Sequence, residues 1–141
     1  MANVNSSSVK SFAFRLRPKA DLKRSIIEFA KENRIQAGVI VTCVGSLEQV
    51  NIRYANQNTG ELKKGFFEIV SLSGTFSDSS CHLHIAVSDE RGQTIGGHLM
   101  DYNLVYTTAE LVVVDLIAFE FVRELDATYG YRELIVGKRT K

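Results

Sequence analysis

The stretch that most limits how this chain can fold is Cys81–Leu99, CHLHIAVSDERGQTIGGHL, read here as two strands joined by a turn. Side chains alternate along a strand, so His82 and His84, two apart, share one face. The turn decides where the other arm lies. If Glu90, Arg91 and Gly92 form a three-residue loop on a type I turn, Gly92 supplies the left-handed position and Asp89 faces Gln93. Counting back from that pair sets His84 opposite His98, on the face that also carries His82. A four-residue loop, or a bulge at Gly96–Gly97, sends His98 to the opposite face. These are the three histidines of the chain, and the turn determines whether they meet.

Their meeting would have chemical content. H-x-H alone is a common pattern, and a strand histidine is more often a hydrogen-bonded core residue than a ligand. Three converging imidazoles suit Zn²⁺ or another late first-row cation, and leave a fourth coordination position for water or substrate. Hydrolysis at such a metal needs a base or a positioning carboxylate, and Glu110 and Asp101 are the candidates closest by sequence. G-x-S-x-G, P-loop, dinucleotide and HExxH motifs are all missing, which removes the common enzyme classes by motif.

The remainder of the chain predicts one domain. At 141 residues, 45% hydrophobic and 23% charged, it can bury a core without disulfides or structural staples. Seventeen basic and sixteen acidic residues leave a net charge of +1, so the overall field draws it to neither nucleic acid nor anionic membrane. Cys43 and Cys81 lie in apolar surroundings without a secretory leader, as reduced thiols of a cytoplasmic protein would. No apolar run approaches the roughly 20 residues of a membrane-spanning helix. Residues 1–8 are expected to be disordered, 9–138 to form the domain, and 139–141 to be a basic, solubilising tail.

Val9–Leu16 alternates in part and reads as a strand stopped by Pro18; Asp21 then opens an amphipathic helix over Leu22–Asn33. Ala37–Val44 suits a covered central strand, with Gly45–Ser46 allowing a change of direction into a second strand through Val50, Ile52 and Tyr54. Asn56–Lys64 is an exposed loop. Strand character resumes over Gly65–Phe76, placing Phe67, Ile69, Ser71 and Ser73 on one face and Phe66, Glu68, Val70 and Leu72 on the other. The run Leu111–Val122 is apolar on both faces, more than one helix can cover, and points to a subunit interface. Asp115 within it is either paired across an interface or marks a bulge. Tyr131–Gly137 makes the last strand.

The order FEIVSLSGTF, HLHIAVSDERGQTIGGHL, VYTTAELVVVDL and FVRELDATYGYRELIV resembles the plants-and-prokaryotes-conserved (PPC) domain, from about Val9 to Lys138. The resemblance implies an α/β (α+β) fold: a mostly antiparallel sheet of about seven strands flanked by a helix, assembled as a homotrimer. It implies a metal site at His82, His84 and His98. Plant members are similar in the domain but act as nuclear DNA-binding proteins through an added AT-hook. This chain has no R-G-R-P core, so minor-groove insertion of arginine has no counterpart here. Two readings follow. One is a metal-dependent enzyme or small-ligand binder; the other is a DNA-associated or regulatory interaction module. The histidines favour the first.

Overall fold

The computed structural model describes residues 6–139. The expected disordered segment 1–8 falls mostly outside that range, and within it Ser7 and Ser8 accept hydrogen bonds from the amides of Ala118 and Ile117. Strand β1 (Val9–Leu16) leads to helix α1 (Leu22–Asn33). There follow β2 (Gly38–Arg53), β3 (Glu61–Phe76), β4 (Cys81–Ser88), β5 (Thr94–Leu99), β6 (Leu104–Leu116), β7 (Phe119–Leu125) and β8 (Arg132–Lys138). Six strands form one antiparallel sheet in the order β1-β6-β2-β3-β4-β5, and β7 with β8 makes a separate hairpin. The fold is therefore mostly antiparallel sheet with one helix. Two strands expected on either side of Gly45–Ser46 are one, β2, whereas Leu111–Val122 divides: the chain turns at Ile117–Ala118, and β7 leaves the main sheet.

The helix forms where its pattern places it. The Asp21 carboxylate accepts from the amide of Arg24 at 3.0 Å, which satisfies an N-terminal donor. Leu22, Ile26 and Ala30 recur on one face and are fully buried. Phe29 stacks on Phe14 of β1 at 3.9 Å between ring centroids and meets Phe12 edge-on at 5.5 Å, fastening the helix to the sheet.

Gly45–Ser46 does not reverse the chain. β2 runs through it as one strand of 16 residues, because its register against β6 shifts there instead. Gly45 has φ +144°, and a Cβ on it would lie 2.0 Å from the Thr108 carbonyl oxygen, so the bulge brings β6 too close for any side chain. A second shift, between Ile69 and Ser71, carries Leu72 onto the face of Phe67 and Ile69. All three are buried, where strict alternation separates Leu72 from the other two.

The far end of β2 pairs with β5 through Ile52–Leu99 and Arg53–His98. Strands β2, β3, β4 and β5 thus close into a ring around Ile52, Leu83, Ile85, Val87 and Leu99. Buried Asn103 ties the closure. Its amide donates to the carbonyls of Met100 (2.6 Å) and Asn51 (3.2 Å), and its Oδ1 accepts from the Asn51 amide at 2.8 Å. Asp115 finds its partners within the chain, not across an interface: it lies 3.1 Å from Arg139 and accepts from the buried Ala37 amide at 3.3 Å. Arg139, read above as part of a solubilising tail, also donates to the Arg34 carbonyl at 2.9 Å.

Candidate metal centre

The DERG loop forms as the three-residue geometry requires. The Asp89 amide donates to Gln93 O at 3.0 Å, the Gly92 amide donates to Asp89 O at 2.9 Å, and Gly92 has φ +77°. The Asp89 carboxylate accepts from the amides of Arg91 and Gln93, both at 2.9 Å, and holds the loop from inside. From this turn the register runs Ser88–Thr94, Val87–Ile95, Ala86–Gly96, Ile85–Gly97 and His84–His98. The glycine pair does not shift it.

The three imidazoles consequently converge. Ring centroids lie 5.0 Å apart for His82–His84, 5.1 Å for His82–His98 and 5.8 Å for His84–His98. One donor nitrogen from each falls within 4.8 Å of the others. Nε2 of His82 and Nε2 of His84 are 3.2 Å apart. Two donors on a tetrahedral zinc ion, each at 2.0–2.1 Å, are separated by about 3.3 Å, so this pair already has the spacing of two ligands.

The surroundings favour the proton-free form of His82 and His98. Burial, then the positive charge of Arg53 and the neighbouring histidines, lowers the pKa of half-buried His98 to about 4. Burial followed by Arg123 lowers that of His82 as well. Nδ1 of His98 is buried with no hydrogen-bond partner among the described residues. A three-nitrogen donor set with an orphaned buried nitrogen fits a late first-row dication.

Glycines bring the neighbouring backbones within reach. A Cβ on Gly97 would lie 2.6 Å from Arg53 O, and one on Gly74 (φ +131°) would lie 2.0 Å from His82 O. These close approaches set Arg53 beside His98, and Thr75 of β3 opposite His82.

The two carboxylates suggested by sequence proximity are occupied elsewhere. Glu110 lines a different cleft, with Arg15 and Val44, across β1, β2 and β6. Asp101 pairs with Lys23 at 3.0 Å and Arg24 at 3.6 Å; the Lys23 hydrogen bond is the main reason its pKa is lowered. The carboxylate lining both clefts beside the histidines is Glu133 of β8. Arg53, Arg123 and Arg132 line the larger one, of about 520 Å³. Arg123, Arg132 and Glu133 lie in the FVRELDATYGYRELIV block and Arg53 lies in none of the quoted blocks, and nothing in that block marks their nearness to the histidines. They reach the histidines through the fold of the β7–β8 hairpin and the end of β2, which no local pattern announces.

A model of the Plants and Prokaryotes Conserved (PCC) domain family matches residues 4–117. The chain belongs to that family. It is 40% identical to a hypothetical protein from Salmonella cholerae-suis of known structure, with a TM-score of 0.93 over 96% of this chain and 99% of that one. It is 31% identical to a metal-containing protein from Archaeoglobus fulgidus, with a TM-score of 0.79 over 94% and 99% of the two chains. A Synechococcus protein named Bifunctional protein GlmU shares 41% identity over 93% of this chain, which spans 21% of that relative's length.

Proposed function

We propose that this is a homotrimeric metalloprotein that holds one divalent cation, zinc foremost, on His82, His84 and His98, and uses it to bind or hydrolyse a small molecule. The observation that carries the reading is the convergence of three imidazoles on one face, with donor nitrogens within 4.8 Å. The metal-containing relative from Archaeoglobus fulgidus supports it. Bound zinc supplies Lewis acidity toward an oxygen of the ligand. The chain's own groups do the positioning: Arg123 donates to Thr75 Oγ1 at 2.9 Å and stands 3.5 Å from Nδ1 of His82, steadying that ring.

The trimer reading rests on the outward side chains of the central strands. Val41, Val44, Phe66, Val70 and Tyr106 are 42–58% exposed on neighbouring strands β2, β3 and β6, apolar side chains that a subunit interface would cover. The decisive experiment is elemental analysis of protein purified without a histidine tag, alongside His98→Ala and a light-scattering mass. The expected result is about one zinc per chain and a mass of three chains, with the metal lost in the variant. Protein that holds no metal after growth in zinc, and takes up none on titration, refutes the site; a monomeric mass refutes the trimer. A salt-dependent shift on an A·T-rich duplex would move the reading to the DNA-associated alternative.

A further inference from the structure

The cleft over the histidines has an unbalanced charge. Arg53 enters from β2, Arg123 from β7 and Arg132 from β8, while Glu133 is the one carboxylate among its lining residues. Each guanidinium is held by a neutral acceptor. Arg53 donates to Gln57 O at 3.2 Å, Arg123 to Thr75 Oγ1 at 2.9 Å and Arg132 to Arg123 O at 3.2 Å. Among the described residues none of the three has a carboxylate within ion-pairing distance, although ion pairs form elsewhere. These acceptors fix the arginines in place and leave their charge uncompensated. Such an arrangement suits an anion, and arginine's planar fork suits oxyanions in particular. A dication held by the three imidazoles would add positive charge and strengthen the same demand.

The hairpin that carries two of the arginines is built onto the body of the domain. The Phe121 amide donates to Gln36 O at 2.9 Å, its ring is 9% exposed, and the Arg139 amide donates to Ala118 O at 3.0 Å. Ligand choice can be set here by the side chains the hairpin carries into the cleft.

We infer that this cleft is the binding site for a small molecule bearing a phosphate or carboxylate group, gripped by Arg53, Arg123 and Arg132 with the β7–β8 hairpin as its specificity element. A volume of about 520 Å³ exceeds what an inorganic ion fills and lies in the range of small-molecule sites. The inference rests on the metal reading only for the ligand's orientation toward the histidines; the arginine cleft itself is independent of it.

The test titrates inorganic phosphate and, separately, malonate into the full chain by calorimetry at low salt, with and without added zinc. Arg53→Gln and Arg132→Gln are the variants, and Arg91→Gln, in the exposed DERG loop, is the control. Metal content is measured on every sample. The expected result is saturable binding of at least one anion that weakens about tenfold or more in each cleft variant and is unchanged in the control, with metal content unaltered. The two probes tell a phosphate site from a carboxylate site. No saturable binding by the wild type, or binding that survives both cleft substitutions within about twofold, overturns the inference. Because metal is read separately, a protein that holds zinc but ignores both anions sinks this inference alone, and one that binds anions without metal sinks only the metal reading.

Discussion

Gly97→Ala tests whether closure of β5 onto β2 is what brings His98 to its partners. An added Cβ would stand 2.6 Å from Arg53 O and 3.0 Å from Ile52 Cγ2, and the nearer atom is backbone, which cannot swing aside. Restoring a normal contact requires β5 to retreat from β2 by roughly half an ångström. That retreat falls on Arg53–His98, the last register pair of the closure. Overpacking of this kind costs about 1–3 kcal/mol, which in a chain this size lowers Tm by about 2–4 °C for each kcal/mol. Metal ligation tolerates only about 0.2 Å of error, so zinc affinity should fall roughly 10–100-fold, as it does when a ligand's supporting contact is lost. Two measurements separate the effects: denaturation in the presence of chelator reports the fold, and competition with a chromophoric chelator reports the metal. Gly130→Ala is the control. Gly130 has φ +75° and open space around it in the β7–β8 turn, so alanine there adds about 1–2 kcal/mol of backbone strain without touching the histidines. If Gly97→Ala binds zinc within about twofold of wild type and melts unchanged in chelator, ring closure is not what sets His98, and the reasoning fails.

Two further predictions concern the body of the domain. Asp115→Ala leaves the buried Ala37 amide without its acceptor and Arg139 without its partner; it should lower unfolding stability by about 1–3 kcal/mol, read from the urea midpoint at constant slope. Burial raises the Cys43 thiol from 9.0 to about 12, so at pH 8 its thiolate population, and with it native-state alkylation, should be about 1,000-fold below that of an exposed cysteine. The sign extends to stability: the unfolded thiol ionises first, so this contribution is intact below pH 9 and is lost as pH rises toward 12. Mass spectrometry after timed iodoacetamide exposure checks the first point, and rapid native labelling of Cys43 would contradict its burial.

Local chemistry made much of this fold legible. Asp21 before an apolar face at i, i+4 and i+8 gives helix α1 its observed bounds, and Gly92 after Asp89-Glu90-Arg91 gives the hairpin its register. Both signals act over a few residues, where backbone geometry leaves little choice. The bulges in β2 and β3 were not legible, since Gly45 and Val70 are set by the approach of β6 and β4 from distant parts of the chain. A glycine in a strand says that something comes close without saying what.

The same division runs through the site. The histidines are brought together by one hairpin, and their alignment follows from the parity of its loop. The arginines and Glu133 converge from β2, β7 and β8, and only the tertiary fold joins them. Glu110 shows the consequence: its nearness in sequence to the histidine stretch placed it among the candidate carboxylates, yet β6 carries it into the cleft with Arg15. Metal-ligating geometry can be local because one small ion sits between neighbouring strands. Recognition of a larger ligand needs walls from several elements, so on the proposed reading the metal's donors come from one hairpin, while the groups that would choose its ligand come from β2 and the β7–β8 hairpin. Exchanging that hairpin between related domains should then change which anion is bound while leaving the metal in place.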